Sequence, residues 1–577
     1  MKSSQVLLAF TLVAALSAEV PTGAAAAAGP AKVADPRLAL QRALETELGR
    51  SMSRLTLPGF EAPYFIAYTV RDRDEVTVSA RWGALFADER SRSRHASTEV
   101  RVGDYAFDNT ADDTLQGDFE PDAGELYDPG TQVPIDDDAD ALRAVLWLQT
   151  DSRYKEALSR LHRKRGRRAT VLAKDDAVES FARAAATRHT DPSTVLEVDR
   201  RRWAKAARDA SARFKRHAEI LDGAVVVQAT RETRQLVTSD GTRLITERVL
   251  FGLTIDAAVR TDDGTLLTHG RSFYGVRASE LPDEARLNEA VDRVAKELLA
   301  LRAAPVLDPY TGPAILAEEA AGVLFHEVIG HRLEGERLAD DAEGQTFRGQ
   351  VGQRVLPEFL DVLDDPTQQT LGAVSLNGWY RFDDEGVPAE AVTLVEKGVL
   401  RSFLTSRRPV AGVPRSNGHG RASGTLDPMA RMGTLIVRSS NRLSRAALKQ
   451  RLLEEARRQG RPFGLLITDI TGGDTNTGSY GYQAFRGTPR LVYKVDAKTG
   501  VETLVRGVEM VGTPLAAINK ILATGEQQGV FNGYCGAESG FVPVSAIAPS
   551  LLLSEVELQR TQLMRQRPAV LPAPWQD

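Results

Sequence analysis

A single cysteine, Cys535, stands in 577 residues, so no disulfide can form within the chain. A lone thiol has two ordinary fates, burial as a small hydrophobe or capture by a metal. Positive charge is not in surplus either. The chain has 73 Lys and Arg against 78 Asp and Glu, a net charge of −5. Phosphate binding needs a concentrated basic surface, so nucleic acid is not an expected partner. Long apolar runs are missing beyond the N-terminus. Lys2, the run Val6 to Leu16 and the small residues after it read as a secretory signal peptide over residues 1–28, cleaved after Ser17 or within Ala24 to Ala28. The run is too short for a stable membrane span, and no later segment is long enough. The expected product is exported, periplasmic or secreted, with no cysteine near the cleavage region to carry a lipid.

The length calls for more than one core. "DPRLALQRALETELGRSMSRL" has the helical spacing of Leu38, Leu40, Leu44 and Leu48. "YFIAYTV" and "EVTVSARWG" read as strands, rich in β-branched and aromatic residues. The acidic stretch Asp112 to Asp140 reads as a solvated loop. Asp140 to His217 is dense in Ala, Leu, Arg and Lys and reads as helices with basic outer faces, the cluster His162 to Arg168 included. Alternation returns in "RLITERVLFGLTIDAAVR", and Leu287, Val291, Val294, Leu298 and Leu301 make one apolar helix face. Pro305 and "LDPYTGP" mark a boundary. The expected fold is α+β in two domains: residues 37–304, with a helical insertion at about 112–216, and a mainly β domain over 306–577 built around one helix.

That helix is "AGVLFHEVIGHRLEGE", Ala321 to Glu336. It holds two of the chain's eight histidines, His326 and His331, with Glu327 after the first. Zinc hydrolases of the H-E-x-x-H type space their histidines four apart, on one helix face. Five apart, on a regular helix, two rings diverge by roughly 140°. One π-type bulge would insert a residue and rotate His331 back towards His326, and such bulges occur mostly at functional sites. Gly330 weakens the regular helix there. The alternative is a polar stretch of helix without metal. Against it, Val323, Leu324, Phe325, Val328 and Ile329 would bury the imidazoles at a cost unless they had partners.

These residues resemble the TldD/PmbA metallopeptidases, in particular the metal-carrying TldD branch. The resemblance rests on "HEVIGHRLEGE" and continues through "FRGQVGQRVLPEFLDVLDD", "DDEGVPAEAVTLVEKGVLRSFLTSRR", "SNGHGRASG", "ITDITGGDTNTGSYGY" and "GYCGAESGFVPVSAIAPSLLLSEVEL". It covers nearly all of Leu281 to Leu558. It implies that His326 and His331 bind zinc with Cys535 as third ligand, that Glu327 is the general base, and that a fourth position stays open for water. It further implies a subunit that forms a homodimer, or a heterodimer with a related subunit, and acts on unfolded peptides. Two departures from the family pattern stand out: the export leader and the large insertion.

His419, Arg421, Tyr480 and Tyr482 are candidate contacts for substrate or the oxyanion, each able to donate a hydrogen bond to developing charge. Glu334 is a candidate further ligand or second acceptor. Gly418, Gly420 and Gly424 lack the strand-to-helix context of a phosphate cradle. Two other readings stay open. One makes Cys535 a nucleophile with His331 or His419 as base; the other makes the chain a non-catalytic partner of a related peptidase. The zinc reading requires the sulfur and both rings to converge.

Overall fold

The structure, a computed structural model, describes residues 35–110, 131–170, 178–338, 345–475, 485–512, 514–561, 565–567, 571 and 573–575. The leader, most of the acidic stretch, and Tyr480 and Tyr482 lie outside them. The fold is α+β.

Among the described residues, seven strands form a first sheet: β1 (Pro63–Arg81), β2 (Ala84–Val102), β3 (Thr131–Gln132), β4 (Arg188–Thr190), β5 (Ile220–Thr238), β6 (Arg243–Arg260) and β7 (Leu266–Gly275). They run in the order β3-β2-β1-β5-β6-β4, with β7 on β6. The two strands expected around "YFIAYTV" and "EVTVSARWG" are the two ends of β1. The charged "RDRDE" between them stays in the ladder because Asp72 and Asp74 lie opposite Arg94 and Arg92 of β2. Cross-strand pairs of opposite sign support pairing where apolar pattern lapses. One end of β1 carries Ile66, Tyr68 and Val70 into a core with Leu44 and Leu146; the other carries Val76 and Val78 into a core with Trp203 and Leu298.

Four helices cover this sheet: α1 (Pro36–Arg54), α2 (Ala139–Thr170), α3 (Arg200–Ala212) and α4 (Glu284–Ala303). In α4 the residues Leu287, Val291, Val294, Leu298 and Leu301 are the buried face, as their spacing predicts, and Asp283 caps the first turn by accepting from Arg286 N–H.

The chain then enters a twelve-stranded sheet at β8 (Tyr310–Leu316). Its long central strand, Gly540–Arg560, pairs antiparallel with Ile521–Ala537 and with β8. The eight-residue helix α5 (Glu318–Phe325) lies on this sheet, and six of its residues are buried. Gly322 permits the close approach: a Cβ there would stand 3.2 Å from the Ala546 carbonyl oxygen. A second helix, α6 (Arg445–Arg458), departs from the expectation of one helix in this half. Ser444 caps it, and Leu448, Leu452 and Ala456 form its buried stripe. The last described residues return to the first sheet, where Arg565 bridges to Thr265.

Candidate metal centre

α5 does not end at Phe325. It continues as a π turn, His326–Gly330, and tightens into a 3-10 turn, His331–Leu333. The His331 N–H reaches the His326 carbonyl five residues back. The inserted residue brings the rings to a centroid separation of 5.0 Å, nearly perpendicular. The five-residue spacing therefore has the bulge it requires. Gly330 is needed for a different reason than expected. Its φ of −54° is ordinary, but a Cβ would stand 1.9 Å from Met432 Sδ, so any larger residue would have to displace the methionine side chain.

The third member arrives from far along the chain. Cys535, near the end of strand Ile521–Ala537, sits opposite Val542 in the hairpin register. Its Sγ lies 3.3 Å from His331 Nε2. One donor atom each from His326, His331 and Cys535 lie within 4.8 Å of one another, all three residues buried. Tetrahedral ligands at about 2.1 Å for nitrogen and 2.3 Å for sulfur stand about 3.5 Å apart, so the spacing suits a single ion. The His326 ring hydrogen-bonds Cys535 as well, and its Nδ1 is buried without a hydrogen-bond partner among the described residues. Two imidazoles and a thiol are a nitrogen and sulfur donor set of the kind zinc takes.

Electrostatics favour the thiolate. Burial opposes its charge, but the two imidazoles outweigh burial and hold Cys535 well below the usual thiol range. Burial likewise opposes a charged His331, yet Glu334 and Cys535 push it up to about 10. Burial would raise Glu334; His331 and Arg337 overcome it and hold the carboxyl at about 2. The Glu334 carboxylate accepts from His331 Nδ1 at 3.1 Å and from Arg337 Nε at 2.9 Å. With an ion on Nε2, that contact would keep the proton on Nδ1.

Glu327 has its carboxylate 3.9 Å from His331 Nε2. Gly473 makes room for it, since a Cβ at that position would be 2.3 Å from Glu327 Cγ. His326, Glu327, His331 and Cys535 all line a cleft of about 1360 Å³, whose other wall includes Arg271 and Tyr274 of β7. The first sheet thus contributes to the walls and the second supplies the donors.

His419 and Arg421 are not brought to the cleft. His419 is fully buried, with Nε2 on Asp364 at 3.2 Å and Nδ1 on the Asn417 carbonyl at 2.9 Å. Arg421 donates to the carbonyls of Met432 and Pro543. Both neighbours are local to the fold, so neither side chain is free to meet an oxyanion. Arg431, which contacts the site from behind, lies in no segment that the sequence singled out, and Gly473, on the cleft, lies in "ITDITGGDTNTGSYGY", a segment to which the sequence assigned no role for its glycines.

Residues 309–560 match the PmbA/TldA metallopeptidase C-terminal domain. Over 269 residues the chain is 29% identical to a protein of Archaeoglobus fulgidus named a metalloprotease, a stretch covering 46% of this chain and 58% of that one. A Haemophilus influenzae protein named a metalloprotease TldD homolog is 26% identical over 56% of this chain and 65% of its own length. A Saccharolobus solfataricus protein named a zinc metalloprotease TldD homolog is 24% identical over 43% and 51%. The matches span little more than half the length of these relatives. Two solved structures share the fold: TldE from Thermococcus kodakarensis, at TM-score 0.57 and 13% identity, covering 90% of this chain and 100% of that one, and a Thermotoga maritima protein described as a candidate modulator of a DNA gyrase, at 0.59 and 17%, covering 89% and 99%.

Proposed function

We propose that this chain, whose residues 309–560 carry the PmbA/TldA metallopeptidase C-terminal domain, is an exported zinc peptidase that cleaves unfolded or extended peptides. The observation that carries the reading is the convergence of His326, His331 and Cys535 beside Glu327 on one cleft wall. His326, His331 and Cys535 would hold the ion. A zinc ion held there supplies Lewis acidity, polarising a carbonyl and making water acidic near neutral pH. Glu327 is placed to take the proton of the attacking water and return it to the leaving amine. Glu334 keeps His331 in the tautomer that presents Nε2. The walls contributed by both sheets leave room for an extended chain to lie along the cleft, which suits peptides without tertiary structure. Pairing with a related subunit or a second copy, which the resemblance to the TldD/PmbA metallopeptidases implies, is part of the same proposal. No described helix is long and apolar enough to cross a membrane.

A thiol mechanism draws on the same charge-stabilised Cys535, and one experiment separates the two. Purified protein is assayed on an unfolded peptide before and after chelation and zinc return, with Glu327→Gln alongside. Loss on chelation, recovery with zinc, and a Glu327→Gln protein that keeps zinc but not turnover support the peptidase. Turnover indifferent to chelator overturns it.

A further inference from the structure

The segment "SNGHGRASG" does not reach the cleft, yet it supports a side chain that does bear on the ligands. Arg431 is fully buried. Its backbone N–H donates to the His419 carbonyl at 2.9 Å, and His419 is itself pinned by Asp364 and Asn417. From that base the guanidinium makes four contacts in three directions. Nη2 donates to the Cys535 carbonyl at 2.7 Å. Nη1 donates to Ser539 Oγ at 2.9 Å and to the Gly540 carbonyl at 3.1 Å. Nε lies 3.5 Å from Glu334 Oε1, an ion pair without a hydrogen bond, while the other oxygen of Glu334 holds His331 Nδ1.

Resting on the reading of this site as a metal centre, we propose that Arg431 is a positioning residue. One planar fork ties the strand that carries Cys535, the turn that follows it, and the carboxylate that orients His331 into a single frame, setting sulfur and imidazole at ligand spacing. The ligands come from a helix and a strand 204 residues apart in sequence, and nothing in either element alone sets their separation. A buried guanidinium and carboxylate are weak contributors to net stability compared with apolar side chains of the same volume. Their use here is directional. The five donors of arginine lie in fixed directions in a plane, which a lysine ammonium cannot reproduce. Outer partners of this kind tune metal affinity through ligand orientation.

The test uses the full chain with Arg431→Gln and Arg431→Lys. Zinc dissociation constants are measured by competition with a chromophoric chelator, and the thiolate-to-metal charge-transfer band is recorded with cobalt. Arg431→Gln is expected to bind zinc roughly 10- to 100-fold more weakly and to lose intensity in the cobalt band. Arg431→Lys, which restores charge but not the fork, is expected to recover the melting temperature and not the affinity. Wild-type affinity and spectrum in Arg431→Gln, or recovery of both by lysine, overturns the proposal. Should Arg431→Gln not fold, Ser539→Ala takes one acceptor from the fork: weaker zinc binding supports the role, and unchanged binding overturns it. Peptide cleavage by the wild type is scored separately. Its absence overturns the peptidase reading and not the positioning role, which rests on the metal affinities.

Discussion

The two sheets bury charge in different ways. In the first, Asp74 meets Arg90 and Asp72 meets Arg92 across neighbouring strands, and both arginine side chains are nearly half exposed. In the turns packed beside the second, Glu334 and Arg431 are fully buried and Arg337 nearly so. Exposed pairs contribute little to stability and serve to keep a long, charged strand in register. Buried groups have no solvent to turn to, so each must face a fixed partner, and the partners here are the metal-site residues. The same residue types hold a sheet together in one place and orient ligands in the other: even Arg94, buried in the first sheet, faces Asp72 of the neighbouring strand and no ligand. The comparison extends to the cleft, where the first sheet lends wall residues such as Arg271 and Tyr274 while the candidate ligands come from a strand of the second sheet and from the helical turn lying on it.

The sharpest way to break this division is at Glu327. Glu327→Gln should lower peptide turnover by about 10²- to 10⁴-fold, with zinc content by elemental analysis unchanged. A comparable loss from a first-sheet wall residue would show that the chemistry is shared between the sheets. Cys535→Ser comes next. Its zinc affinity should fall beyond the roughly 10- to 100-fold typical of an outer partner, read by chelator competition.

A third change targets the seam between the sheets, where Asp384 pairs with Arg71 at 2.7 Å and with Arg234. Burial would raise its pKa, but the two arginines outweigh burial and hold it below the usual carboxylate range. A depressed folded pKa stabilises the fold above the unfolded value of about 4, and that contribution is lost as pH falls below it. Asp384→Asn should cost about 3 kcal/mol at neutral pH and flatten the acid limb of the unfolding midpoint. An acid limb identical to wild type would mean that the seam is not held by this charge.

On the helical turn beside the second sheet, Gly330→Ala forces a methyl against Met432 and should cost about 1–3 kcal/mol. Pairing it with Met432→Ala should return part of the loss in thermal melts, whereas additive losses would show that the contact is not the cause. The smallest effect belongs to the first sheet: Arg90→Ala should cost only about 0.2–1 kcal/mol by denaturant unfolding. A loss several times larger would erase the contrast between exposed and buried pairs.

Much of the fold was legible wherever one face is buried and the spacing is regular, as in α1, α4 and β6. The continuity of β1 was not, because "RDRDE" has the composition of a loop, and the arginines of β2 on one side and β5 on the other make it a strand. The helix α6 was hidden in a stretch that is charged everywhere except its narrow Leu and Ala stripe. At the site, the bulge could be read from the histidine interval, since two rings five apart cannot meet on a regular helix. His419 and Arg421 carried the donor types an oxyanion needs, but donor type does not say where a side chain points, and both point into the fold.

The chain's local order was sufficient to require a distorted helical turn at His326 to His331, with Glu327 on it, because helical geometry acts over a few residues. It was also sufficient to exclude a disulfide. The meeting of Cys535 with that turn, the carboxylate behind His331 and the guanidinium spanning both were decided only in three dimensions. Those contacts depend on strand register and on which surfaces close over one another, and neither is written in the spacing of neighbouring residues.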